Sequence, residues 1–417
     1  MDFQELLAKF GTPLFIYDFD YIKSHYNLLK KEFNGRKSLI CYAVKANSNL
    51  SLLKMLANLG AGFDCVSFNE VARALKAGAD PYKIIYSGVG KSDAELISAL
   101  KAGILYINVE SHAELNRLEQ IAQNLGVIAR ISIRVNPNID PKTHPYISTG
   151  LNENKFGVSI DEARKMYLFA KKMPNLNPIG IHFHIGSQLV DISPIFEAAR
   201  VVSNFMRELK AIDIDIKFFD IGGGIGITYK DEIEPNLYQY AQGILDALKG
   251  QDETIVMEPG RFLVGNSGVF LTKVLYEKMH QNRRFVIVDG AMNDIIRPSL
   301  YGAYHEICTL GELSFGDKLN TNTPQILSEK SPCDVVGPVC ESGDFLGKNV
   351  LLPTMQSGEI LAIKSAGAYC ASMSSNYNSR LRVPEFAIEN ASLRQIRARE
   401  TFETLIADEL EFLQWKR

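Results

Sequence analysis

The chain has 417 residues, enough for one large domain and one smaller one, and its 46% hydrophobic and 22% charged residues are typical of a globular protein. The formal net charge of -3, without a basic tract, excludes the composition of a nucleic-acid-binding protein. With no run of eighteen apolar residues and no signal-peptide pattern, we expect no membrane association and a cytoplasmic location. The six cysteines show no CxxC spacing and are expected to be reduced thiols.

The first part of the chain alternates short apolar runs with segments whose apolar residues recur at helical spacing. Eight strands are predicted, at 38–44, 62–66, 83–86, 104–109, 128–135, 179–185, 216–221 and 254–257. The helices predicted between them include 49–59, 68–77, 92–101, 111–124, 161–172, 194–210 and 237–248. Eight βα units favour an α/β fold with a closed (β/α)8 TIM-like barrel over an open doubly wound sheet, and we assign residues 26–265 to it.

The pattern changes after Gly268 to strands without intervening helices, which indicates a mostly antiparallel C-terminal β domain. Its predicted strands are 269–276, 284–289, 334–339 and 359–364. We assign residues 266–417 to this domain together with residues 1–25. The tail at 393–415 is predicted to be helical, and the polar, turn-rich residues 311–332 are predicted to form a surface excursion.

Polar or small residues end each predicted barrel strand. In a TIM barrel the active site lies at the carboxyl ends of the strands. Each residue alone would be an ordinary strand-terminating residue, but together they place an amine, an imidazole, carboxylates and a glycine loop on one rim. The candidates are Lys45, Asp64, Ser87, Asn108, Arg134, His184, Gly222 and Glu258.

Lys45 closes an apolar run that begins at Ser38. Lysine is rarely buried without compensation for its charge, so an amine here indicates a nearby electrophile such as an aldehyde cofactor. A desolvated amine loses its proton more easily and forms a Schiff base, as in pyridoxal-phosphate enzymes. The alternatives are a strand-end lysine that reaches solvent and a salt-bridge partner.

Two glycine-containing loops are candidates for phosphate binding. Three consecutive glycines, Gly222 to Gly224, follow a strand, where their backbone N–H groups would cradle a phosphate. A dinucleotide fingerprint fails because Ile227 occupies its last position, and a tight turn that needs glycine is the alternative. The string from Ser87 to Ser92 lacks the first glycine of a Walker A loop, so we predict a turn with Ser92 as a helix N-cap.

His182 and His184 lie two residues apart and hence on one strand face. A metal pair is conceivable, but no third ligand has supporting spacing, so no metal is predicted. His184 would stack on a planar cofactor ring, with Ser187 or Gly186 reaching its phosphate; two structural histidines are the alternative.

Glu258 and Arg261 bring an anion and a cation to the end of the last barrel strand. A carboxylate beside a pyridine ring would keep the ring nitrogen protonated and make the ring an electron sink. A simple ion pair is the alternative.

The motifs in combination resemble the diaminopimelate decarboxylases, a family of the fold-type III, alanine-racemase-like pyridoxal-phosphate enzymes. The resemblance spans nearly the whole chain, although residues 311–332 match nothing that we can assign. It rests on Tyr42-Ala-Val-Lys-Ala-Asn47, Phe63-Asp-Cys65, His182-x-His-Ile-Gly-Ser-Gln188, Gly222-Gly-Gly224, Glu258-Pro-Gly-Arg261, Arg297-Pro-Ser-Leu-Tyr301, Cys340-Glu-Ser-Gly-Asp344 and Gly367-Ala-Tyr369.

This resemblance implies decarboxylation of meso-diaminopimelate to L-lysine in a homodimer with shared active sites. Lys45 would hold pyridoxal 5'-phosphate, His184 would face its ring, and Cys340 of the partner chain would protonate the carbanion. The implied cofactor-binding residues are Lys45, Asp64, His184, Ser187, Gly222, Gly223, Gly224, Glu258 and Tyr369. The implied substrate-binding residues are Arg261, Arg297, Tyr301, Glu341 and Tyr369, with Glu341 also from the partner chain.

Two other readings of the resemblance remain open. Ornithine decarboxylases share the barrel and a Cys-acidic pair, but their substrate lacks the distal carboxylate that Arg297 would bind. A non-catalytic pyridoxal-phosphate carrier or pseudoenzyme is the second reading. Single-domain carriers lack a β domain, and pseudoenzymes are expected to lose the lysine or the acid, whereas both Lys45 and Cys340 are present.

Overall fold

The computed structural model describes residues 3–140, 155–313 and 329–413. Its strands are β1 Leu14–Asp18, β2 Ser38–Ala43, β3 Gly62–Cys65, β4 Ile84–Tyr86, β5 Tyr106–Val109, β6 Ala129–Arg134, β7 Leu176–His182, β8 Phe218–Asp220, β9 Thr254–Met257, β10 Gly268–His280, β11 Arg283–Val288, β12 Ile307–Thr309, β13 Ser331–Val336, β14 Phe345–Leu352, β15 Ile360–Ile363, β16 Glu385–Glu389 and β17 Ser392–Arg397.

Most of the longer helices follow barrel strands, and the exception is a 14-residue helix that follows β1. The helices are α1 Phe3–Phe10, α2 Phe19–Glu32, α3 Leu50–Asn58, α4 Phe68–Lys76, α5 Asp93–Ala102, α6 His112–Leu125, α7 Ile160–Ala170, α8 Ser193–Ala211, α9 Leu237–Ala247, α10 Arg261–Val264, α11 Arg297–Tyr301, α12 Phe402–Leu405 and α13 Ala407–Leu410. The chain divides into two compact units. The barrel unit comprises residues 23–228 and 232–263, and the sheet unit comprises 1–22, 229–231 and 264–417.

The barrel unit contains a closed parallel barrel of strands β2 to β9 in sequence order. Strand β2 pairs with both β3 and β9, which closes the cylinder. The predicted (β/α)8 TIM-like barrel is therefore confirmed, and each predicted strand overlaps an observed one. The barrel encloses a core that includes Cys41, Ile85, Tyr106, Ile179 and Val256.

Side-chain N-caps start most of the barrel helices close to the strand ends. Ser67, Ser92 and Ser111 each accept a hydrogen bond from the backbone N–H three residues later, so α4, α5 and α6 begin after short loops. Such a cap stabilises a helix by about 1 kcal/mol. Ser92 forms a capping box with Glu95, which confirms its predicted role. These short loops place the strand ends on a rim that a ligand can reach.

The sheet unit contains a nine-stranded sheet. Its main path runs β14-β13-β11-β10-β1-β16-β17, and β15 pairs with β10 and β12. The predicted mostly antiparallel sheet is confirmed, since among the described strand pairs of this sheet only β1–β16 and β11–β13 are parallel. One side packs against α1 through a core that includes Leu6, Leu14, Ile16, Val269 and Leu271.

The C-terminal tail differs from its prediction as a helix. Residues 392–397 form β17, which pairs antiparallel with β16, and only the short helices α12 and α13 follow. Strand β17 is an exposed edge strand, so its polar residues lack the hydrophobic alternation that marks a strand in sequence. Most of the predicted excursion at 311–332 lies outside the described residues. No helix among the described residues combines the length and apolarity required to cross a bilayer.

Candidate active site

Lys45 lies at the barrel rim, in a 3-10 turn at Val44–Ala46 that follows β2. Its Nζ is 3.3 Å from Oδ2 of Asp64 at the end of β3, so the two predicted residues are neighbours. The lysine side chain is 39% exposed, whereas Asp64 is buried. The expected desolvation of the amine is therefore wrong for this conformation, because the turn carries the side chain out of the strand and a carboxylate compensates its charge.

Glu258 follows β9 and is buried beside two further polar residues. Its Oε2 lies 3.4 Å from Nε2 of His182. Asp220 ends β8 and accepts hydrogen bonds from the Tyr106 hydroxyl at 2.9 Å and from the Gly222 N–H at 3.0 Å. A buried group of two acids and an imidazole results.

The two acids of this group ionise differently. Burial acts to raise the pKa of Glu258, but attraction to His182 and Lys45 outweighs it and lowers the pKa to about 2. Burial, and then the negative charge of Glu258, raise the pKa of Asp220 well above its usual value. Burial acts to lower the pKa of His182, yet its attraction to both acids raises it. Glu258 therefore carries the negative charge, and Asp220 is the acid that stays protonated.

These three side chains have ligand-type atoms within 4.8 Å of one another. The sequence offered no third ligand for His182, because the acids come from β8 and from the segment after β9. Both oxygens of Asp220 already accept hydrogen bonds, from Tyr106 and from Gly222, and these bonds would compete with coordination of a metal ion.

His184 lies just beyond β7 and contacts the glycine loop. The Gly223 N–H donates to its Nδ1 at 3.2 Å. Burial, followed by the positive charges of Arg134 and Lys45, lowers the pKa of His184 well below its usual value. The ring is thus neutral and is oriented by a backbone group.

The three consecutive glycines are required by close packing. A Cβ on Gly222 would lie 2.6 Å from the Phe183 carbonyl oxygen, and one on Gly223 would lie 2.2 Å from that of Glu258. Gly222 and Gly224 also have positive φ, at 66° and 112°. The N–H groups of Gly222 and Gly223 already donate to Asp220 and His184, whereas that of Gly224 makes no hydrogen bond within the described chain. The alternative of a tight turn that needs glycine thus explains all three residues. Of their three N–H groups, only that of Gly224 is available for a phosphate.

Ser187 and Arg261 are brought together in the barrel unit. The Arg261 Nη2 donates to the Ser187 hydroxyl at 3.1 Å, and the arginine is buried. A guanidinium and a hydroxyl in contact offer neighbouring hydrogen-bond donors that suit an anion. The sequence reasoning gave these residues separate roles, in phosphate binding and in substrate binding.

The barrel residues fit pyridoxal phosphate. The second oxygen of Glu258, Oε1, is buried without a hydrogen-bond partner among the described residues. An ionised carboxylate with one free oxygen suits a protonated ring nitrogen. Lys45 supplies the amine, His184 a flat neutral ring, and the Ser187–Arg261 pair an anion site.

Arg297 and Tyr301 lie on α11 in the sheet unit. Arg297 is 6% exposed and makes no ion pair within the described residues. Its guanidinium instead contacts His305, 2.7 Å from Nη1 to Nε2, and the face of the Tyr229 ring at 4.8 Å. A buried cation without an anion is unusual and suits an anionic ligand.

Cys340 and Glu341 are exposed in the loop between β13 and β14. The Cys340 N–H donates to Asn378 Oδ1 at 2.8 Å, and the Tyr377 hydroxyl donates to Glu341 Oε2 at 3.2 Å. A second segment, at residues 377 and 378, therefore fixes this pair. The loop also accepts a hydrogen bond from Ser299 of α11 at its Gly343 carbonyl.

Tyr369 lies in a turn of the sheet unit with φ of 58°, a conformation that large side chains rarely adopt. The turn packs tightly, since a Cβ on Gly367 would lie within 1.7 Å of the Val264 carbonyl oxygen. Such strain accompanies functional positions when the surrounding structure imposes it.

The sequence reasoning missed several residues that contact the candidate site residues. The His-x-His spacing and the Asp preceding the triple glycine were visible signals, whereas the others contact the site only through the fold. The missed residues are Tyr106, Asp220, Tyr229, His305, Tyr377 and Asn378. His182 was considered only as a metal ligand or a structural residue, and its contact with Glu258 was not foreseen.

Comparisons with known proteins agree on one family. A family model described as "Pyridoxal-dependent decarboxylase, pyridoxal binding domain" matches residues 19–265. A diaminopimelate decarboxylase of Campylobacter jejuni is 61% identical over 415 residues, which cover 99% of this chain and 100% of the relative. One from Helicobacter pylori strain J99 is 55% identical over 413 residues, 99% of each chain. The crystal structure of diaminopimelate decarboxylase from Helicobacter pylori complexed with L-lysine matches with a TM-score of 0.93 and 54% identity, over 99% of this chain and 100% of that one.

Proposed function

This chain belongs to the diaminopimelate decarboxylase family, and from that premise we propose how its residues carry out the reaction. It is a pyridoxal-phosphate-dependent carboxy-lyase that converts meso-2,6-diaminopimelate to L-lysine and CO2, the last step of lysine biosynthesis. When bound, pyridoxal phosphate supplies an electron sink for the electron pair left by CO2.

The ionised Glu258 is the observation that carries the proposal. Its low pKa means that it keeps its charge at neutral pH, and its free oxygen would accept a hydrogen bond from the ring nitrogen. His182 Nε2 lies 3.4 Å from the other oxygen, and its attraction to the carboxylate would help to keep it ionised. A protonated ring nitrogen favours decarboxylation, which distinguishes this site from racemases that place an arginine there.

Lys45 would bind the cofactor covalently through its amine. Asp64, 3.3 Å away, orients the amine and provides a carboxylate near the position where its proton must leave. His184 would lie against the cofactor ring. The Gly223 N–H donates a hydrogen bond to its neutral imidazole and so fixes the orientation of the imidazole. These roles agree with those implied by the resemblance.

The cofactor phosphate would bind to Ser187, Arg261 and the Gly224 N–H. The hydrogen bond between Arg261 and Ser187 supports a phosphate role for Arg261, in addition to or in place of its expected contact with substrate. Gly222 and Gly223 would support this site by shaping the loop, since their N–H groups donate to protein acceptors.

The distal carboxylate of the substrate would bind to Arg297, with Tyr301 and Tyr369 alongside. The support is the burial of the guanidinium without a carboxylate partner in the described chain. Removal of a buried charge from water is costly unless an opposite charge compensates it. A dicarboxylate substrate provides that charge, and Glu341 would bind the distal ammonium.

We propose further that the protein acts as a cytoplasmic homodimer in which Cys340 and Glu341 serve the partner subunit's site. The exposure of both residues on a loop fixed by Tyr377 and Asn378 supports this role. Cys340 would then protonate the carbanion. We also propose that the predicted domains, 26–265 and 1–25 with 266–417, correspond to the two compact units. Sedimentation equilibrium of the holoenzyme tests the dimer, and a monomer with full activity would contradict it.

The activity is tested by CO2 and L-lysine release from meso-diaminopimelate with added pyridoxal phosphate. Ornithine, which lacks the distal carboxylate, is the matched control substrate. We expect turnover of meso-diaminopimelate and a rate with ornithine lower by at least about a hundredfold, since a site built for an ionic partner rejects the analogue without it. Turnover of ornithine alone would overturn the assignment.

A further inference from the structure

His305 forms the closest contact to the Arg297 guanidinium within the described residues. Its Nε2 lies 2.7 Å from Nη1, and both side chains are buried. The chain reverses between them because α11 ends at Gly302 with φ of 61° and the Ala303 N–H donates to the Arg297 carbonyl. This local turn therefore places the His305 imidazole beside the Arg297 guanidinium.

The protonation state of His305 follows from its two partners. Its Nδ1 lies 2.9 Å from the Lys364 carbonyl oxygen, which can only accept a hydrogen bond. Its Nε2 faces a guanidinium, which can only donate. The ring is therefore the neutral Nδ1–H tautomer, with its free electron pair directed at Arg297.

The backbone holds the Lys364 carbonyl in place. Strands β12 and β15 pair beside it, and the Lys364 N–H donates to the Glu306 carbonyl at 2.9 Å. The Lys364 and Glu306 side chains also form an ion pair at 2.9 Å. The acceptor that sets the His305 tautomer is thus part of a rigid sheet edge.

Tyr229 completes the support. Its ring faces the Arg297 guanidinium at 4.8 Å and meets the His305 ring edge-on, at 5.5 Å and 82°. Together, a neutral acceptor at Nη1 and an aromatic ring facing the guanidinium restrict the movement of the cation. Neither group neutralises its charge.

We propose that His305 is a positioning residue that orients Arg297 while leaving its positive charge uncompensated for the distal carboxylate of the substrate. An aspartate or glutamate at this position would hold the arginine equally well, but it would compete with the substrate for the cation. The neutral imidazole orients the Arg297 guanidinium but does not neutralise its positive charge. This inference rests on the proposed carboxylate-binding role of Arg297.

The test compares two reversible inhibitors of the holoenzyme, L-lysine and 1,5-diaminopentane. They share the amine that would approach the cofactor and differ only in the carboxylate that Arg297 would bind. The ratio of their inhibition constants therefore measures distal carboxylate recognition, and a general loss of folding or cofactor would change both constants together. For the unmodified enzyme we expect a preference for L-lysine of at least about tenfold, as for a charge-assisted hydrogen-bonded pair.

Three variants separate the elements of the proposal. His305→Phe keeps a ring and removes the acceptor, and it should reduce the ratio by about tenfold and raise KM while kcat changes less than about threefold. His305→Gln retains a neutral acceptor and should keep the ratio within about threefold of the original. His305→Glu adds an anion and should reduce the ratio at least as much as the phenylalanine.

Arg297→Met provides the benchmark, because it should bring the ratio close to one. If it leaves the ratio unchanged, the proposed role of Arg297 fails. If it removes the preference while His305→Phe keeps it, only the present inference is overturned. Equal weakening of both inhibitors in His305→Phe, or an unchanged ratio in His305→Glu, also overturns it. If His305→Phe does not fold, the comparison of the Gln and Glu variants decides, and equal ratios in those two would overturn the proposal.

Discussion

The barrel rim carries a buried negative charge, whereas the surroundings of Arg297, formed by His305 and Tyr229, carry a buried positive charge. At the rim, Glu258 and Asp220 lie close together, and the crowding separates their pKa values so that one holds the charge and the other the proton. In the sheet unit, one buried cation is held by His305 and Tyr229, which orient it without opposing it. The first region leaves an anion available and the second a cation. In the proposed function, the anion would bind a protonated ring nitrogen and the cation would bind a carboxylate.

The largest effect is expected for Lys45→Ala, which removes the reactive amine from the rim. Activity should fall by at least about a thousandfold, and the absorbance of the covalently bound cofactor should disappear with it. Lys54→Ala, on an exposed face of α3, is the matched control and should change neither. Activity that survives in Lys45→Ala would contradict the assignment of this residue.

The division of charge between the two rim acids can be tested with a pair of amides. Glu258→Gln removes the negative charge, so kcat should fall by about a hundredfold while the cofactor remains bound. Asp220→Asn replaces an acid that is already neutral, and kcat should change by less than about fivefold. The amide oxygen can still accept from the Gly222 N–H, and the amide NH2 replaces the oxygen that accepts from the Tyr106 hydroxyl, which must turn to become the acceptor. Equal losses in the two variants would show that both acids carry charge.

A smaller effect is expected from Asp294 in the sheet unit, where burial raises the carboxyl pKa to about 6. An acid with a raised pKa favours folding while it is protonated, and this contribution is lost as pH rises from the unfolded value near ~3.9 through about 6. Between pH 5 and pH 7.5 the unmodified protein should therefore lose about 1.4 kcal/mol relative to Asp294→Asn. Melting temperatures of both proteins at the two pH values measure this difference. A constant difference would contradict the raised pKa.

The barrel was predictable because each βα unit repeats a local pattern, from the apolar strand through the N-cap to the helix. The rim residues followed from one geometric rule, since strand ends share one side of a parallel barrel. The rule predicted Lys45, Asp64, His184 and Glu258 as rim residues, and the structure places Lys45 3.3 Å from Asp64.

The supporting residues could not be found by that rule. Asp220 meets Tyr106 across 114 residues of sequence, and the His305 tautomer depends on a carbonyl 59 residues further along the chain. No local pattern encodes such contacts. The edge strand β17 was missed for a different reason, because an edge strand with mostly exposed side chains requires few apolar residues.

The crowding of the glycine loop limits what mutagenesis can report about it. Alanine at Gly222 or Gly223 would place a methyl group 2.6 Å or 2.2 Å from a backbone carbonyl oxygen of a neighbouring segment, and backbone does not yield as a flexible side chain does. Loss of activity in either variant would measure a displaced barrel rim and not a weakened phosphate contact. Tolerance to substitution at these positions is therefore set by architecture, and sequence drift among relatives would be suppressed here even if the cofactor had no phosphate at all.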